Sequence, residues 1–436
     1  MLRRYCTLLC FLCFLLMPAP ATAQDAAHLR LREQLDSPYA TLFDLEAPRF
    51  EYSQKEASSL RSTLEQDRKQ RIRACESEEK TIKGRLQSAR DGLKQLNASA
   101  SSDTATMATG RRSLHSEIAA LEQVLRDKQR ECRQVLPSNF EIRIAKAHLL
   151  ARWPQERVEV ERAIEAGQAR SRKHGDIEDI GYRKLAENLQ KDIAVGEQAL
   201  RQMQSNGLMS LQLQDESVQQ YVQSLAGRIA SNSDLSVPVR VTVLDSNDIN
   251  AIGLPGGFLL VTSGLLRSCE NESELAGVLS QQIAHMAARH ATRTSKRSIL
   301  AKIFVPAAQI ATGVFTGGIS NAGAYYGMNY GFEGLNVVMN RALAGSNAKA
   351  TKEADQLGIQ YAWKAGFDPK GHVRFVDSLA KGTDYSANNT YILTDPPLGE
   401  RLLEAFAEIR YLPQREDATI DSPEFVKAKQ RLQSRQ

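Results

Sequence analysis

Two charge-rich segments near the N-terminus carry apolar residues at the spacing of a coiled-coil seam. They cover about residues 51–98 and 111–136, lack proline, and are separated by a loop-like stretch of small and polar residues, 97–110. Apolar positions recur at alternating steps of three and four residues, which predicts two long helices. The seam residues are Ile72, Cys75, Ile82, Leu86, Ala89 and Leu93 in the first helix and Leu114, Ile118, Leu121, Leu125, Cys132 and Val135 in the second.

The numbering of the two seams indicates that the helices run antiparallel. Facing positions in such a pair have residue numbers with a constant sum, and here 75 with 132 and 86 with 121 both give 207. The one polar layer then places Glu79 opposite Lys128. We therefore expect an antiparallel coiled-coil hairpin over 51–136, closed by a Cys75–Cys132 disulfide. The alternative is that both seam cysteines stay reduced.

The first 23 residues have the features of a cleavable signal peptide. Arg3 and Arg4 form a positive start, an apolar run follows from Cys6 to Met17, and Ala21-Thr22-Ala23 is a small-residue cleavage site. The apolar run has about 12 residues, whereas about 20 are needed to span a bilayer, so a removed signal is favoured over a membrane anchor. We expect an exported protein, periplasmic in a bacterium with two membranes.

The net charge and the cysteine content limit the kinds of partner and of cysteine chemistry that we expect. The signal segment holds two of the 56 basic residues and none of the 51 acidic ones, so the remainder has a formal net charge of +3 (54 against 51). That charge is too small to indicate a nucleic-acid-binding protein. Cys75, Cys132 and Cys269 remain, in a compartment where disulfides persist. Since no base is placed for Cys269, it is expected to be a buried thiol and not a nucleophile.

Three further regions follow the hairpin. Residues 137–205 are predicted to be a helical linker region, because Pro137 should end the preceding helix. Residues 206–412 mix amphipathic helix patterns with short strands and are expected to form the main domain. Residues 413–436 are polar and are predicted to form a tail.

The segment 299–332 combines low charge with many small residues. Lys302 is its one charged residue, and Pro306 and several glycines interrupt it. A membrane span would have a denser apolar run, so a helical hairpin that is buried or grazes a membrane is favoured. We expect any membrane contact to be peripheral and to involve this segment.

The segment Glu274–His290 carries the pattern of a zinc-peptidase helix with two residues changed. In an H-E-x-x-H helix, two histidines four residues apart grip the metal, and the glutamate deprotonates the metal-bound water. Here Gln281 stands at the first histidine, Gln282 at the glutamate and His285 at the second histidine. Glutamine has no basic site near neutral pH, so Gln282 cannot act as the general base.

Four motifs together resemble the HtpX-type zinc metallopeptidases, the family that includes the CAAX prenyl endopeptidase and periplasmic proteases of the BepA kind. The resemblance covers about residues 180–412 and implies a mostly helical α+β, gluzincin-like domain with a small sheet beside the former zinc helix. One strand of that sheet can pair with an extended substrate in relatives. Besides the altered helix, the motifs are Asn250-Ala251-Ile-Gly-Leu-Pro255-Gly256-Gly257, Glu353-Ala354-Asp355 and Tyr391-Ile-Leu-Thr-Asp395-Pro-Pro.

The resemblance also implies roles for single residues. The former zinc ligand positions are those of Gln281, His285 and Glu353, and the former base position is that of Gln282. Residues that would support the ligands or pack around them are Asp355, Asp395, Arg289 and His290, with Asp395 standing where many relatives have a histidine. The substrate strand would present Asn250, Ala251, Pro255, Gly256 and Gly257.

The surviving ligands are too few to predict a bound metal. His285 and Glu353 remain, and two ligands seldom hold zinc. On this interpretation no cofactor is expected, and His285 is an interior histidine in a hydrogen bond, for example with Glu353. The alternative is a rebuilt zinc site of His285, Glu353 and Asp395, with one carboxylate replacing the base. No further histidine is expected nearby.

Three functions are compatible with these features. The favoured one is a catalytically inactive metallopeptidase homologue, a pseudopeptidase, that binds an extended polypeptide or an envelope protein partner without cutting it. The second is an active zinc-dependent endopeptidase with an altered ligand set. The third is a structural envelope adaptor that works through its coiled-coil hairpin.

Overall fold

The computed structural model describes residues 23–37, 41–98, 105–183, 185, 189–205, 209–292, 348–381, 391–392, 394 and 396–434. Three predictions fall on residues outside these ranges. They concern the signal peptide, apart from its last residue, the low-charge segment 299–332 and the loop residue Asp395.

Helices make up most of the described chain, and three strands form one small sheet, so the expected mostly helical α+β class is confirmed. Within the described ranges, no helix has the length and apolar character that crossing a membrane requires. The strands are β1 (Arg240–Leu244), β2 (Ala251–Leu254) and β3 (Phe258–Thr262). The helices are α1 (Ala23–Asp36), α2 (Gln54–Ala98), α3 (Ala105–Arg130), α4 (Leu136–Glu165), α5 (Leu189–Ser205), α6 (Glu216–Ser231), α7 (Ser263–Ser268), α8 (Glu272–Ala287), α9 (Ala348–Lys364), α10 (Gly371–Lys381), α11 (Leu398–Tyr411) and α12 (Pro423–Gln433).

The sheet has the strand order β1-β3-β2, with β3 in the centre. β1 is parallel to β3, with Val241 opposite Leu259, and β2 is antiparallel to β3, with Ile252 opposite Leu260. Alternate side chains of a strand point to opposite faces. Leu259 accordingly lies in the core shared with α6 and α8, whereas Ile252 and Leu260 pack against Met203 of α5. The sheet therefore lies between α8 and α5.

The outer edge of β1 is covered by residues 211–213 and by two glutamines of α6. The N–H of Leu213 donates to the carbonyl of Val243, and the N–H of Asp245 donates to the carbonyl of Leu211, both at 2.8 Å. Gln219 accepts a hydrogen bond from the backbone N–H of Val243 (2.9 Å) and donates to the carbonyl of Val241 (2.8 Å). Gln223, one turn later, accepts from the N–H of Val241 (2.9 Å) and donates to the carbonyl of Val239 (3.0 Å). Each amide thus replaces one peptide group of a neighbouring strand, which closes an edge that could otherwise pair with another chain.

Helices α2 and α3 form the predicted hairpin, and the predicted disulfide is present. Cys75 and Cys132 are bonded, with 5.5 Å between their Cα atoms, and both are buried. Further toward the turn, Leu86, Ala89 and Leu121 form a small core of their own. These contacts are the ones that an antiparallel seam requires.

The charged layer of the hairpin differs from the prediction. Glu79 is buried and accepts hydrogen bonds from Gln129 (3.0 Å) and Arg133 (3.1 Å), whose side chains enclose it. Lys128 instead forms an ion pair with the neighbouring Glu78, at 2.8 Å. The expected Glu79–Lys128 pair is therefore wrong, although the helix register is not.

The second helix of the hairpin does not end at Pro137. A π-helical turn, Glu131–Val135, connects α3 directly to α4, so that helical structure continues from Ala105 to Glu165. Pro137 lies where the hydrogen-bond pattern changes from that of the π-helical turn to that of α4. The loop is also shorter than predicted, since α3 begins inside the stretch 97–110.

Residues 137–205 are part of the packed body and are not a linker. Trp153 of α4 is 1% exposed and lies 5.5 Å from the ring of Phe406 on α11, measured between ring centroids. Ala199 and Met203 of α5 are buried against the sheet. The expectation of a linker was wrong because the charged surface residues of these helices dominate their composition.

Residues 413–436 do not form a frayed polar tail. They contain α12, whose residues Phe425 and Leu432 are each 1% exposed. The side chain of Arg431 pairs with Asp215, which caps the N-terminus of α6, at 3.1 Å. A narrow apolar stripe is enough to dock a helix whose other faces are polar.

Candidate functional site

Helix α8 carries the former zinc motif through the centre of the domain. Asn271 caps it by accepting a hydrogen bond from the N–H of Glu274 (3.1 Å), and Leu275 and Ile283 are fully buried. Helix α9 approaches closely at Gly358, where a Cβ atom would come within 2.9 Å of the Gln281 backbone. This packing fixes the directions of the polar side chains on α8 and α9.

The amide of Gln282 points at the outer edge of β2. Its Oε1 accepts a hydrogen bond from the backbone N–H of Gly253 (3.1 Å), and its Nε2 lies 3.5 Å from Oε1 of Gln281. The N–H of Ala251, two residues before Gly253, donates to the hydroxyl of Tyr391 (3.1 Å). Alternate N–H groups of an antiparallel strand point toward its neighbour or away from it, so these two donors point away from β3. Both outward donors are thus occupied by side chains of the protein itself.

Gln281 belongs to a buried network around Asp355. Its Nε2 donates to Oδ1 of Asp355, and Arg401 of α11 binds the same carboxylate with two hydrogen bonds, at 2.6 and 2.8 Å. Burial raises the pKa of Asp355, but Arg401, His372 and the Gln281 amide together lower it by more, so the pKa of this carboxyl lies below its usual value. His372 of α10 lies 3.9 Å from Asp355, and burial lowers its pKa to about 4. The amide of Gln281 therefore serves as a donor to a buried anion.

His285 and Glu353 belong to a second network. Nδ1 of His285 lies 3.0 Å from Nδ1 of His290, and Nε2 of His290 lies 3.1 Å from Oε2 of Glu353. Nδ1 of His174, from the segment between α4 and α5, is 3.6 Å from Oε1 of the same carboxylate. Burial, with a contribution from His290, lowers the pKa of His285 to about 3, so its ring is neutral at neutral pH. The expectation that no further histidine lies nearby is therefore wrong.

A surface cavity of about 350 Å³ opens beside the second network. It is lined by His174 and Glu353 together with the basic side chains of Lys173 and Arg183. Glu353 is thus reached from solvent on one side and bonded to His290 on the other.

The described residues, as they are arranged, do not fit a zinc ion. Within the described ranges, no three His, Cys, Asp or Glu side chains are arranged so that they could hold a metal ion. Gln281 directs its amide nitrogen to Asp355, His285 directs Nδ1 to His290, and Glu353 is shared between two histidines. The former ligand positions therefore belong to two different hydrogen-bond networks.

Arg289 connects the end of α8 to α5. Its guanidinium binds the buried carboxylate of Asp192 with two hydrogen bonds, at 2.6 and 2.8 Å, and Thr292 donates to the same carboxylate at 3.1 Å. Its backbone has a φ of 54°, which turns the chain at the end of the helix. Arg289 therefore anchors a neighbouring helix, whereas His290 contacts a former ligand position.

The strand motif keeps its geometry. Asn250 is buried, and its N–H donates to the hydroxyl of Thr262 (3.0 Å). Pro255, Gly256 and Gly257 form the turn between β2 and β3. Gly256 has a φ of 77°, and a Cβ atom there would come within 2.4 Å of the Ile193 backbone. Only glycine allows α5 to approach the turn this closely.

Cys269 is a buried thiol, as expected. The side chain is fully buried, and burial raises the pKa of the thiol well above its usual value. Its backbone carbonyl accepts a hydrogen bond from Lys429 of α12 (2.5 Å). A thiol in this environment is a poor nucleophile.

Sequence reasoning missed several residues that shape the site. Tyr391 lay inside a quoted motif, but nothing in the motif indicated that its hydroxyl would reach β2. The remaining residues reach the site from distant parts of the chain, so no local pattern marks them: His174, Asp192, His372 and Arg401.

Comparison with known proteins identifies the family of the domain that contains these residues. Residues 212–409 match the model of Peptidase family M48. The beta-barrel assembly-enhancing protease of Yersinia pestis is 26% identical over 258 residues, which are 59% of this chain and 51% of that protein. The protein of the same name from Escherichia coli (strain K12) is 28% identical over 256 residues, 55% of this chain and 48% of that protein.

A mitochondrial relative matches a shorter part of the chain. The mitochondrial metalloendopeptidase OMA1 of Schizosaccharomyces pombe is 29% identical over 152 residues, which are 34% of this chain and 40% of that protein. The chain spans about half the length of the beta-barrel assembly-enhancing proteases that it matches. The matched range contains the sheet, α8 and α9, and with them every former ligand position. The domain formed by residues 212–409 therefore belongs to peptidase family M48.

Proposed function

We propose that the protein is a catalytically inactive metallopeptidase homologue that binds an extended polypeptide or an envelope protein partner without cutting it. The observation that carries this proposal is the bonding of Gln281 and Gln282. Each stands at a position that the reaction requires, and each amide is held by another part of the protein, Asp355 for the first and Gly253 for the second.

The loss of the base is decisive for the chemistry. A side-chain amide cannot take a proton from water near neutral pH, and general-base catalysis is worth about 10²- to 10⁴-fold in rate.

The arrangement of the former ligands supports the absence of zinc. An amide oxygen is a weaker zinc ligand than imidazole, and here the amide nitrogen of Gln281 is needed as a donor to Asp355. His285 and Glu353 both contact His290, whereas Gln281 contacts Asp355, so the three former ligand positions do not share one network. We therefore propose that the mature protein carries no resident metal.

The partner class follows from the fold and from the relatives. Proteases act on polypeptides, and the named relatives include beta-barrel assembly-enhancing proteases. This chain keeps the strand motif that the family resemblance links to substrate pairing, and it lacks the catalytic base. Together with the signal-like N-terminus, this supports a polypeptide or envelope protein as partner and a location outside the cytoplasm.

The test is the zinc content of the full-length mature protein and its cleavage of an unfolded polypeptide, beside those of the variant Gln281→His/Gln282→Glu. We expect substoichiometric zinc and no cleavage for the natural protein, and about one zinc per chain for the double variant. Gln282→Glu alone is the matched control: it restores the carboxylate but no ligand, and should gain no zinc.

The opposite result would identify a different function. One zinc per chain in the natural protein, together with cleavage that a chelator abolishes, would show an active endopeptidase with an altered ligand set. His174 and His290, which both contact Glu353, would then be the first ligands to replace.

A further inference from the structure

We propose that one side of the α2–α3 hairpin, the basic flank, is a docking surface for an acidic segment of a protein partner. Basic side chains from both helices beyond the disulfide form this flank. They are Lys80, Lys83, Arg90, Lys94, Arg112 and Arg126. The inference goes beyond the proposed function, because it concerns a surface that is separate from the former zinc positions on α8 and α9.

Contacts between the two helices show which side chains share the basic flank. In an antiparallel pair, the positions beside the seam face each other across it on two opposite sides. On one side, Arg90 of α2 pairs with Glu122 of α3 at 2.7 Å. On the same side, one turn or two nearer the disulfide, Lys83 and Gln129 both reach the seam residue Glu79. The other members of the basic flank follow these positions at helical spacing on the same side of each helix.

The opposite side of the hairpin is acidic. There Lys128 bridges Glu78 of α2 (2.8 Å) and Glu131 at the end of the hairpin (2.7 Å). Continuing along the helices at the same spacing, this acidic flank contains Arg85 as its other basic residue. Its carboxylates are those of Glu78, Glu117, Asp127 and Glu131. Positive and negative side chains of the hairpin are therefore segregated on two flanks and not interspersed.

Most of the charge on the basic flank is not neutralised within the hairpin. Lys83 pairs with Glu79 at 2.6 Å, and Arg90 pairs with Glu122. The other four basic side chains are exposed, and none of them has an ion-pair partner among the described residues. These four are Lys80, Lys94, Arg112 and Arg126. Their charges are available to a partner.

The dimensions of the basic flank fit a short acidic segment of polypeptide. Lys80 and Lys94 are fourteen residues apart on α2, so the flank is about 21 Å long. An extended chain covers that length with about seven residues. Because a single exposed ion pair contributes little, several carboxylates in one segment are needed for measurable affinity. Complementary charge would also fix the orientation of the partner along the hairpin.

A bilayer fits the basic flank less well than an acidic polypeptide. Among the described residues of this flank, no large apolar side chain is exposed that could enter the headgroup region, and the exposed Val124 lies on the other side, opposite Arg85. A broad anionic surface would also repel the acidic flank, which lies about one helix diameter, about 10 Å, away. That distance is comparable to the screening length of about 8 Å at physiological salt. A narrow acidic segment contacts the basic flank alone.

The experiment measures binding of fluorescein-labelled poly-L-glutamate to the full-length mature protein by anisotropy at neutral pH. The variant Lys80→Glu/Lys94→Glu/Arg112→Glu should bind at least about tenfold more weakly, because three attractive contacts become repulsive. Binding by the natural protein should also weaken when the salt concentration is raised from about 50 to about 200 mM, because exposed charges are screened.

Two further variants separate the basic flank from general charge effects. Arg71→Glu/Lys191→Glu/Lys427→Glu makes the same change in net charge at exposed positions outside the flank, and should weaken binding by less than about twofold. Lys80→Gln/Lys94→Gln/Arg112→Gln removes charge without adding repulsion, and should give an intermediate affinity. Circular dichroism and an intact Cys75–Cys132 disulfide show whether each variant keeps the hairpin.

Three results would overturn the inference. The first is no binding of poly-L-glutamate by the natural protein at low salt, and the second is an equal loss of affinity in the two Glu triple variants. The third is binding to phosphatidylglycerol vesicles that the flank variant loses, without binding to poly-L-glutamate, which would assign the flank to a lipid surface. None of these results concerns zinc content or cleavage, so the inference can fail while the proposed function stands.

Discussion

At the scale of single residues, the two glutamines of α8 form hydrogen bonds with buried or strand-edge polar groups that an apolar residue could not form. Asp355 is a buried anion that takes two hydrogen bonds from Arg401, and the amide of Gln281 adds a third. Gly253 presents an outward N–H, and Gln282 supplies its acceptor. An apolar side chain at either position would leave a polar group with one partner fewer, at a cost of about 1–3 kcal/mol each.

The buried His372 predicts how stability depends on pH. Burial, offset in part by Asp355, lowers its folded-state pKa from 6.5 to about 4, and Nδ1 has no hydrogen-bond partner within the described structure. Between these pH values the unfolded chain binds the proton and the folded protein does not, so the free energy of unfolding falls as the pH is lowered from 6.5 to 4.

The corresponding variant is His372→Gln, compared with His115→Gln at an exposed position on α3. Urea unfolding at pH 7 and at pH 4 should show that His372→Gln loses less stability on acidification, by up to about 3 kcal/mol. The His115 variant should lose as much as the natural protein. A His372 variant with an unchanged pH dependence would contradict the assignment.

Most of the residues at the site could be named from the sequence, but their partners could not. Gln281, Gln282 and His285 follow from the spacing of one helix motif, because one helix turn fixes which side chains share a face. Glu353 follows from the family resemblance. Which group each one contacts depends on contributions from distant segments, such as His174. No local sequence pattern predicts those contacts.

At the scale of elements, the glutamines that cover β1 make a prediction about sheet stability. Gln219→Ala and Gln223→Ala each remove two hydrogen bonds and leave backbone groups of β1 without their partner, so each should lower the free energy of unfolding by about 1–3 kcal/mol. Gln220→Ala, between them on the exposed face, should change it by less than about 0.5 kcal/mol. Equal effects at all three positions in urea unfolding would contradict the edge-capping role.

The hairpin shows which elements a sequence specifies well. Its seam repeats over many turns, so the register and the Cys75–Cys132 pairing follow from counting alone, and the structure confirms the disulfide. The helix end at Pro137 was wrong because proline disfavours a helix interior without always ending the helix: Pro154 lies inside α4, and Pro137 lies where the π-helical turn joins α4. The predicted end of a helix depends on such local exceptions, whereas the register of a long periodic seam does not.

At the scale of the whole molecule, the segment between α4 and α5 joins the N-terminal helices to the peptidase-like domain. Arg172 forms ion pairs with Asp176 (2.7 Å) and with the buried Glu408 of α11 (2.5 Å). Arg183 forms an ion pair with Asp234 at 2.9 Å. The largely buried pairs with Glu408 and Asp234 cross between regions that composition alone had separated, so the sequence suggested a linker where the fold has an interface.

The C-terminal helix predicts that the last residues of the chain stabilise the whole body. Phe425 is 1% exposed and packs near Tyr221 of α6, with 6.4 Å between ring centroids. Phe425→Ala should lower the free energy of unfolding by about 3–5 kcal/mol, because it leaves a cavity under α12. The neighbouring Val426 is 42% exposed, and Val426→Ala should have little effect. The free energy of unfolding of both variants is measured by thermal or urea unfolding. Equal stabilities would contradict the docking of α12 on the body.

The disulfide also divides the hairpin into an inner and an outer part. Beyond Cys75, α2 continues to Ala98, and at a rise of about 1.5 Å per residue this outer part is about 35 Å long. The inner part is continuous with the body through Leu60 and Leu64, which are buried beside α4. The crosslink therefore stops the two helices from sliding past each other at the boundary between the part of the hairpin that packs on the body and the part that extends beyond it.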